Sequence, residues 1–410
     1  MNSVRIKRGW AGKTVKADFV IALLLLAVSS GAVAGDEPLW RSSLQFHGFL
    51  SQGFVWTSAN RWYGDSEEGS LDFTEMGLNL SFRPVGPLRL AAQGVFRRSG
   101  RLNPHEVRLD YALADYTFLS TAQGRLGIMV GRIKNPLGLY NETRDVAFTR
   151  PTIFLPQSIY FDRTRNFGLA NDGFQFYGEY STAWGDWFLR AGAGWPNGTR
   201  DKEFERVVLG RNWDGEFEPR LSGIGRLMYE YQGGMVRLAV TGAIVNTEYQ
   251  PGKNNPFQRG WLAFKPVIFS AQYNGEKLTV TGEYALRFSK FDDFGIYFPD
   301  QSVTGESYYL QASYRIVPKV KVVGRYGVYF ADRDDTSGRK YAKLTGNPRH
   351  KRFARDWTAG IRWDITPWWM VRAEYHHVYG TGWLAASENG DFSDSRKRWH
   401  MFAFLTAFRF

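Results

Sequence analysis

From Leu44 to Phe410 the chain keeps one rhythm: runs of ten to fifteen residues alternate apolar with polar, separated in turn by a very short reversal and a longer polar connection. Period-two alternation sends successive side chains to opposite faces of a strand. Soluble sandwiches use strands of about five or six residues, whereas a tilted strand needs about 9 to 11 to cross a bilayer. Sixteen runs are predicted, at 44–57, 70–83, 87–98, 106–119, 123–134, 170–182, 185–195, 220–232, 235–248, 258–274, 276–289, 304–316, 318–331, 354–366, 368–379 and 398–410. Seven reversals between them, such as Asn274-Gly275 and Thr366-Pro367, hold the Gly, Asn-Gly or Pro of tight turns. An even strand number with alternating short and long connections predicts an all-β fold, a transmembrane antiparallel β-barrel of about 16 strands.

Individual runs predict which face is which. In Trp357 to Ile365 the odd positions should meet lipid while Thr358, Arg362 and Asp364 face the lumen. Leu278, Val280, Tyr284, Leu286 and Phe288 similarly oppose Thr279, Thr281, Glu283 and Arg287. After Ala34 no charge-free window approaches the roughly 20 residues of a spanning helix. Before it, Arg5, Lys7, Arg8, Lys13 and Lys16 precede the apolar run Val20 to Val28 and the small-x-small triplet Ala32-Val33-Ala34. That is the pattern of a cleaved secretory signal over residues 1–34, leaving 35–410 as the barrel. Aromatic residues reach 16%, which girdles at two membrane interfaces would use, and there is no cysteine for a disulfide or thiolate metal site. Past the signal, 47 basic residues stand against 39 acidic ones, a net of +8.

The chain ends Phe402-Ala403-Phe404-Leu405-Thr406-Ala407-Phe408-Arg409-Phe410, with four phenylalanines in one phase. This ending resembles the signal by which Gram-negative outer-membrane barrels reach their assembly machinery. The resemblance implies the outer membrane of a Gram-negative bacterium, with its lipid and lipopolysaccharide as surroundings.

One stretch breaks the rhythm. Asn135 to Gly168, between the fifth and sixth strands, is the third long connection, and Pro136, Pro151 and Pro156 deny it a ladder or helix. Residues 131–139, GRIKNPLGL, look like the G-x-x-K-x-P-x-G-L passage of the phosphate-selective porin O/P group and related trimeric porins. That likeness implies a homotrimer of water-filled barrels, each narrowed by an infolded third extracellular loop at 135–168. A narrowed throat selects by its charges. From Arg132 to Arg165 there are six basic residues and three acidic. The candidate constriction residues are Lys134, Arg144, Arg150, Arg163 and Arg165, opposed by Glu142, Asp145 and Asp162; Arg89, Arg97 and Arg108 are the candidate pore wall. Arginine suits carboxylate or phosphate because its planar fork donates two parallel hydrogen bonds. The loop has no lysine after Lys134, so phosphate in particular is not implied.

The predicted function is passive diffusion of small hydrophilic solutes with a preference for anions. A sugar or neutral-solute channel is the alternative, with Tyr177, Tyr309 and Tyr329 as stacking steps. No cofactor, catalytic residue or nucleic-acid partner is expected. Barrel enzymes such as phospholipases need a histidine constellation, and the one pair here, His376-His377, sits in a strand that sends the two rings to opposite faces. The loop cluster Arg333, Arg339, Lys340, Lys343, Arg349, Lys351 and Arg352 reads as a solvated face, with a vestibule for anions or a clamp on lipopolysaccharide phosphates as alternatives.

Overall fold

The computed structural model describes residues 43–410. The signal segment and the start of the mature chain lie outside the described residues. Seventeen strands form one closed antiparallel sheet. They are β1 (Leu44–Thr57), β2 (Ser70–Val85), β3 (Leu88–Ser99), β4 (Asn103–Ser120), β5 (Gly124–Lys134) and β6 (Ala170–Thr182). Next come β7 (Gly185–Pro196), β8 (Gly215–Pro219), β9 (Ser222–Tyr231), β10 (Val236–Pro251), β11 (Gly260–Asn274) and β12 (Leu278–Asp292). The circuit finishes with β13 (Gln301–Val317), β14 (Val320–Phe330), β15 (Phe353–Thr366), β16 (Trp369–Gly380) and β17 (Arg398–Arg409).

Seventeen strands make sixteen staves. Both β8 and β9 pair with β10, Thr247 opposite Pro219 and Ile244 opposite Gly223, with the register shifted by one residue between the two ladders. They are a single stave interrupted at Arg220-Leu221, where Ser222 Oγ accepts from the Asn246 amide at 3.0 Å. Pro266 does not end β11. It pairs opposite Arg287 of β12, while the ladder to β10 lapses between Val267 and Phe264, as a residue without an N–H requires. Closure joins β1 to β17, from Phe49 opposite Arg409 to Thr57 opposite Met401. Phe410 extends the seam by exchanging two backbone hydrogen bonds with Gly48, at 3.0 and 3.2 Å.

The outward phase is apolar. Phe54, Trp56, Trp357, Ile361, Trp363, Phe402, Phe404 and Phe408 are all exposed, forming the belt that lipid covers. The inward phase is polar around most of the wall, with Glu75, Arg97, Asp110, Glu283, Arg325, Asp356, Arg372 and Glu374 buried.

The aromatic excess is only partly a girdle. Trp62, Tyr63, Phe154, Trp383 and Trp399 belong to one buried cluster, together with inward residues of β1, β2, β16 and β17. Phe204, Phe217, Tyr249, Phe257 and Phe294 form a second, capping the loop end of β8 to β12. The long connection 381–397 buries Trp383, Leu384 and Phe392. A rigid ring brings large apolar area at little entropic cost, so polar loops that meet each other gain most from aromatics.

Candidate functional site

The segment 135–168 leaves β5 at Lys134 and returns through a short helix, Arg165–Leu169, to β6. Its two ends are tied by the Asn135 amide donating to the Leu169 carbonyl at 3.0 Å. Buried Asn141 reinforces this base, its Nδ2 donating to the carbonyls of Asn135 at 2.9 Å and Gly168 at 3.0 Å. Gly138 has φ +61, and a Cβ there would lie 2.4 Å from the Tyr160 hydroxyl. Only glycine takes that backbone conformation with that neighbour.

Between these ends the segment bonds to inward side chains on widely separated staves. Glu283 of β12 accepts from the Leu139 amide at 3.0 Å and the Tyr160 hydroxyl at 2.6 Å. Arg226 of β9 donates to the Gly138 carbonyl at 3.1 Å. Glu142 pairs with Arg190 of β7 at 2.7 Å and Arg226 at 2.8 Å. Farther along, Arg325 of β14 donates to Thr152 Oγ1 at 2.8 Å and the Phe154 carbonyl at 3.1 Å. Arg372 of β16 reaches the carbonyls of Thr152 at 2.9 Å and Arg150 at 2.6 Å.

Most of the charged residues singled out from sequence meet in one buried network. Glu75 of β2 accepts from Arg97 at 3.2 Å and Arg150 at 2.9 Å. Asp162 accepts from Arg97 at 3.2 Å and Arg144 at 3.3 Å, and lies 3.6 Å from Arg165. Asp145 pairs with Arg165 and Lys134, and Lys134 also reaches Asp110 at 2.7 Å. Five cations (Lys134, Arg97, Arg144, Arg150, Arg165) thus face four anions (Glu75, Asp110, Asp145, Asp162), all under 10% exposed.

Electrostatics keeps the two loop carboxylates of this network ionised. Burial would raise Asp162, but Arg97, Arg144 and Arg165 outweigh it and hold the carboxyl down at about 2. Burial would raise Asp145 too; Arg165 and Lys134 prevail and hold it well below the usual range. Burial, then repulsion from Arg165, lowers Arg144 to about 10, still charged at neutral pH. The space left among these groups is a crevice of only about 10 Å3.

The remaining predicted residues are separate. Arg163 donates to the Tyr329 hydroxyl at 3.1 Å and lies over its ring. Arg108 bonds Asn166 and lies 3.8 Å from Glu106. Arg89 pairs with Asp115 at 2.9 Å. The tyrosines considered as stacking steps are engaged elsewhere: Tyr309 donates to Glu283 at 2.8 Å, and Tyr177 to Asp115 at 2.8 Å. His376 is buried between Asp356 at 3.1 Å and Glu374 at 3.4 Å, while His377 turns outward to His400.

A larger space of about 450 Å3 opens between loop residues Tyr140, Phe148 and Thr149 and the inner wall near the short turns. Its wall carries four cations directly opposite one another on four adjacent staves. Arg315 of β13 faces Lys321 of β14, Lys321 faces Arg362 of β15, and Arg362 faces Arg372 of β16. Like charges in directly opposed positions destabilise a sheet. Compensation is partial: Arg362 pairs with Asp364 at 2.7 Å and donates to the Phe148 carbonyl at 3.0 Å. Arg315 lies 3.9 Å from the Glu276 carboxylate. Lys321, inside the row, is exposed and makes no hydrogen bond or ion pair among the described residues.

Alternation places Arg362 and Arg372 in the lumen from sequence, but Arg315 and Lys321 were missed. What aligns the four is the register between strands, which pattern within each strand does not carry.

Several solved outer-membrane proteins share this architecture. OmpT of Vibrio cholerae in its trimer form matches at 11% identity and TM-score 0.55, over 90% of this chain and 99% of its own. The outer membrane channel DcaP of Acinetobacter baumannii matches at 13% and 0.56, over 92% and 100%. The anion-selective porin of Comamonas acidovorans matches at 13% and 0.55, over 90% and 99%. The chain therefore folds as an outer-membrane β-barrel. No protein-family model matches it, and no curated protein matches it in sequence.

Proposed function

We propose that the protein is a passive channel for small hydrophilic solutes, that segment 135–168 is its constriction loop, and that it prefers anions. The observation that carries the preference is the opposed row Arg315, Lys321, Arg362 and Arg372 beside the open space. A sheet that tolerates four cations in register carries a folding penalty, which a transient counter-ion in the lumen relieves. The loop cations add little to this field because Arg144, Arg150 and Arg165, together with Lys134 and Arg97 of the wall, lie within a few ångströms of four carboxylates. Their role in this reading is to hold the loop against the wall, which sets the bore. A homotrimer accords with the trimer form of the Vibrio cholerae neighbour.

Bilayer recording with Lys321→Glu tests the assignment. Reversing one charge in a partly screened lumen is worth roughly 1 kcal/mol, so the anion-to-cation permeability ratio should fall about fivefold. Arg144→Gln should leave the ratio nearly unchanged. An unaltered ratio in Lys321→Glu, with normal conductance, would remove the row as the source of selectivity.

A further inference from the structure

The outer face of β15 to β17 carries a second cationic group, one that cannot touch the lumen. Tyr379 of β16 stands directly opposite Arg355 of β15 on one side and Arg398 of β17 on the other. Lys397 Nζ lies 4.6 Å from the centre of the Tyr379 ring and the Arg398 guanidinium 5.6 Å from it. Arg355 and Arg398 are exposed, and none of the three cations forms an ion pair with a carboxylate among the described residues.

Polarity along this face changes in steps of two residues, about 7 Å each. Below Tyr379 the next opposed set is Trp357, His377 and His400. The His377 and His400 Nδ1 atoms are 3.3 Å apart, and the Tyr375 hydroxyl is 2.7 Å from His400 Nδ1. Below that, Tyr375 packs on Phe402 at 4.8 Å between ring centres, and Phe402 lies 5.8 Å from Trp56. Charge therefore gives way to amphipathic rings and then to the bare apolar belt, all on one surface and in one direction.

We propose that this face binds the phosphorylated headgroup of a lipid in the leaflet at the loop end, with its acyl chains lying on the aromatic belt below. Three unpaired cations at the edge of an apolar surface complement a phosphate tethered to hydrocarbon, and two of them present the arginine fork that fits phosphate oxygens in pairs. The tyrosine hydroxyl supplies a further donor, and its ring holds the cations in place. A free anion would gain nothing from the belt, and a neutral lipid nothing from the cations. This site is independent of the channel reading, since its residues point away from the lumen.

Native mass spectrometry of the purified protein with added bis-phosphorylated lipid A, and with the same lipid stripped of phosphate, tests the proposal. The wild type should retain the phosphorylated lipid after detergent exchange. The variant Arg355→Gln/Lys397→Gln/Arg398→Gln should retain about tenfold less, because hydrogen bonds between a cation and a phosphate are roughly twice as strong as neutral ones. Ion conductance and the heat-modifiable gel shift of that variant should stay unchanged; should it fail to fold, Arg355→Gln alone serves, with a smaller decrease. Equal retention by wild type and variant overturns the proposal. So does equal binding of the phosphate-free lipid, displacement by inorganic phosphate at the lipid's own concentration, or loss of oligomer with lipid retention unaltered.

Discussion

Glu75 is where the loop and the wall are joined by charge. Its two oxygens hold Arg97 from the adjacent β3 and Arg150 from the loop, with all three side chains nearly inaccessible to water. A buried ion pair adds little over an apolar pair, but removing one partner leaves the other charged, dry and unmatched. Glu75→Gln should therefore destabilise the folded barrel by about 3–5 kcal/mol, read as a lower temperature for loss of the heat-modifiable band. An unchanged temperature would mean that water already enters the network. At the same scale, the sequence set Arg144, Arg150 and Arg165 against Asp145 and Asp162, but it did not reveal that Glu75 joins Arg97 to Arg150. Glu75 is 22 residues from Arg97 and 75 from Arg150, separations that carry no sign of contact.

The loop as an element is held by its base, by Glu283 on one flank and by Glu374 on the other, where the Ile153 amide donates. Asp162 and Asp145 are its own anionic anchors, and both titrate lower in the folded protein than free aspartate. The sign follows directly: their stabilisation is complete above the unfolded pKa near 4 and is lost as pH falls through the folded value, about 2 for Asp162. Between pH 4 and 2 the loop should loosen, seen as rising proteolysis between Asn135 and Gly168 at constant strand content by circular dichroism. Protection that persists at pH 2 would assign the hold to the carbonyl contacts of Arg325 and Arg372 instead. The position of this loop was legible, because strands are countable; its contacts were not, because three prolines and no periodicity leave its path open.

For the whole molecule, the sheet closes at its last residue and two aromatic cores form among the loops and the inner wall. Trp383 stands between Trp62 at 5.0 Å and Trp399 at 5.4 Å, so one residue of a long connection bridges the β1–β2 connection and the last stave. Trp383→Ala should open the loop end and raise single-channel conductance severalfold without changing ion preference, as bilayer recording would show. A conductance equal to wild type would mean that solutes enter beside the aromatic cluster. Glu388 and Glu203 add to the closure, the first accepting from the Gly64 and Arg101 amides and the second from those of Ala386 and Ser387.

By itself the sequence determined the barrel, its sixteen staves, the sign of each strand face and the place of the third connection. Those properties are local: a period of two and a turn residue act within a few positions of each other. Tertiary structure decided which charges are neutralised and which remain. It matched the conspicuous loop arginines with carboxylates of the loop itself and with Glu75 of β2, and by strand register it stacked Arg315, Lys321, Arg362 and Arg372 side by side. The strength of a charge depends on what lies within a few ångströms of it, and that distance is set only when distant segments meet.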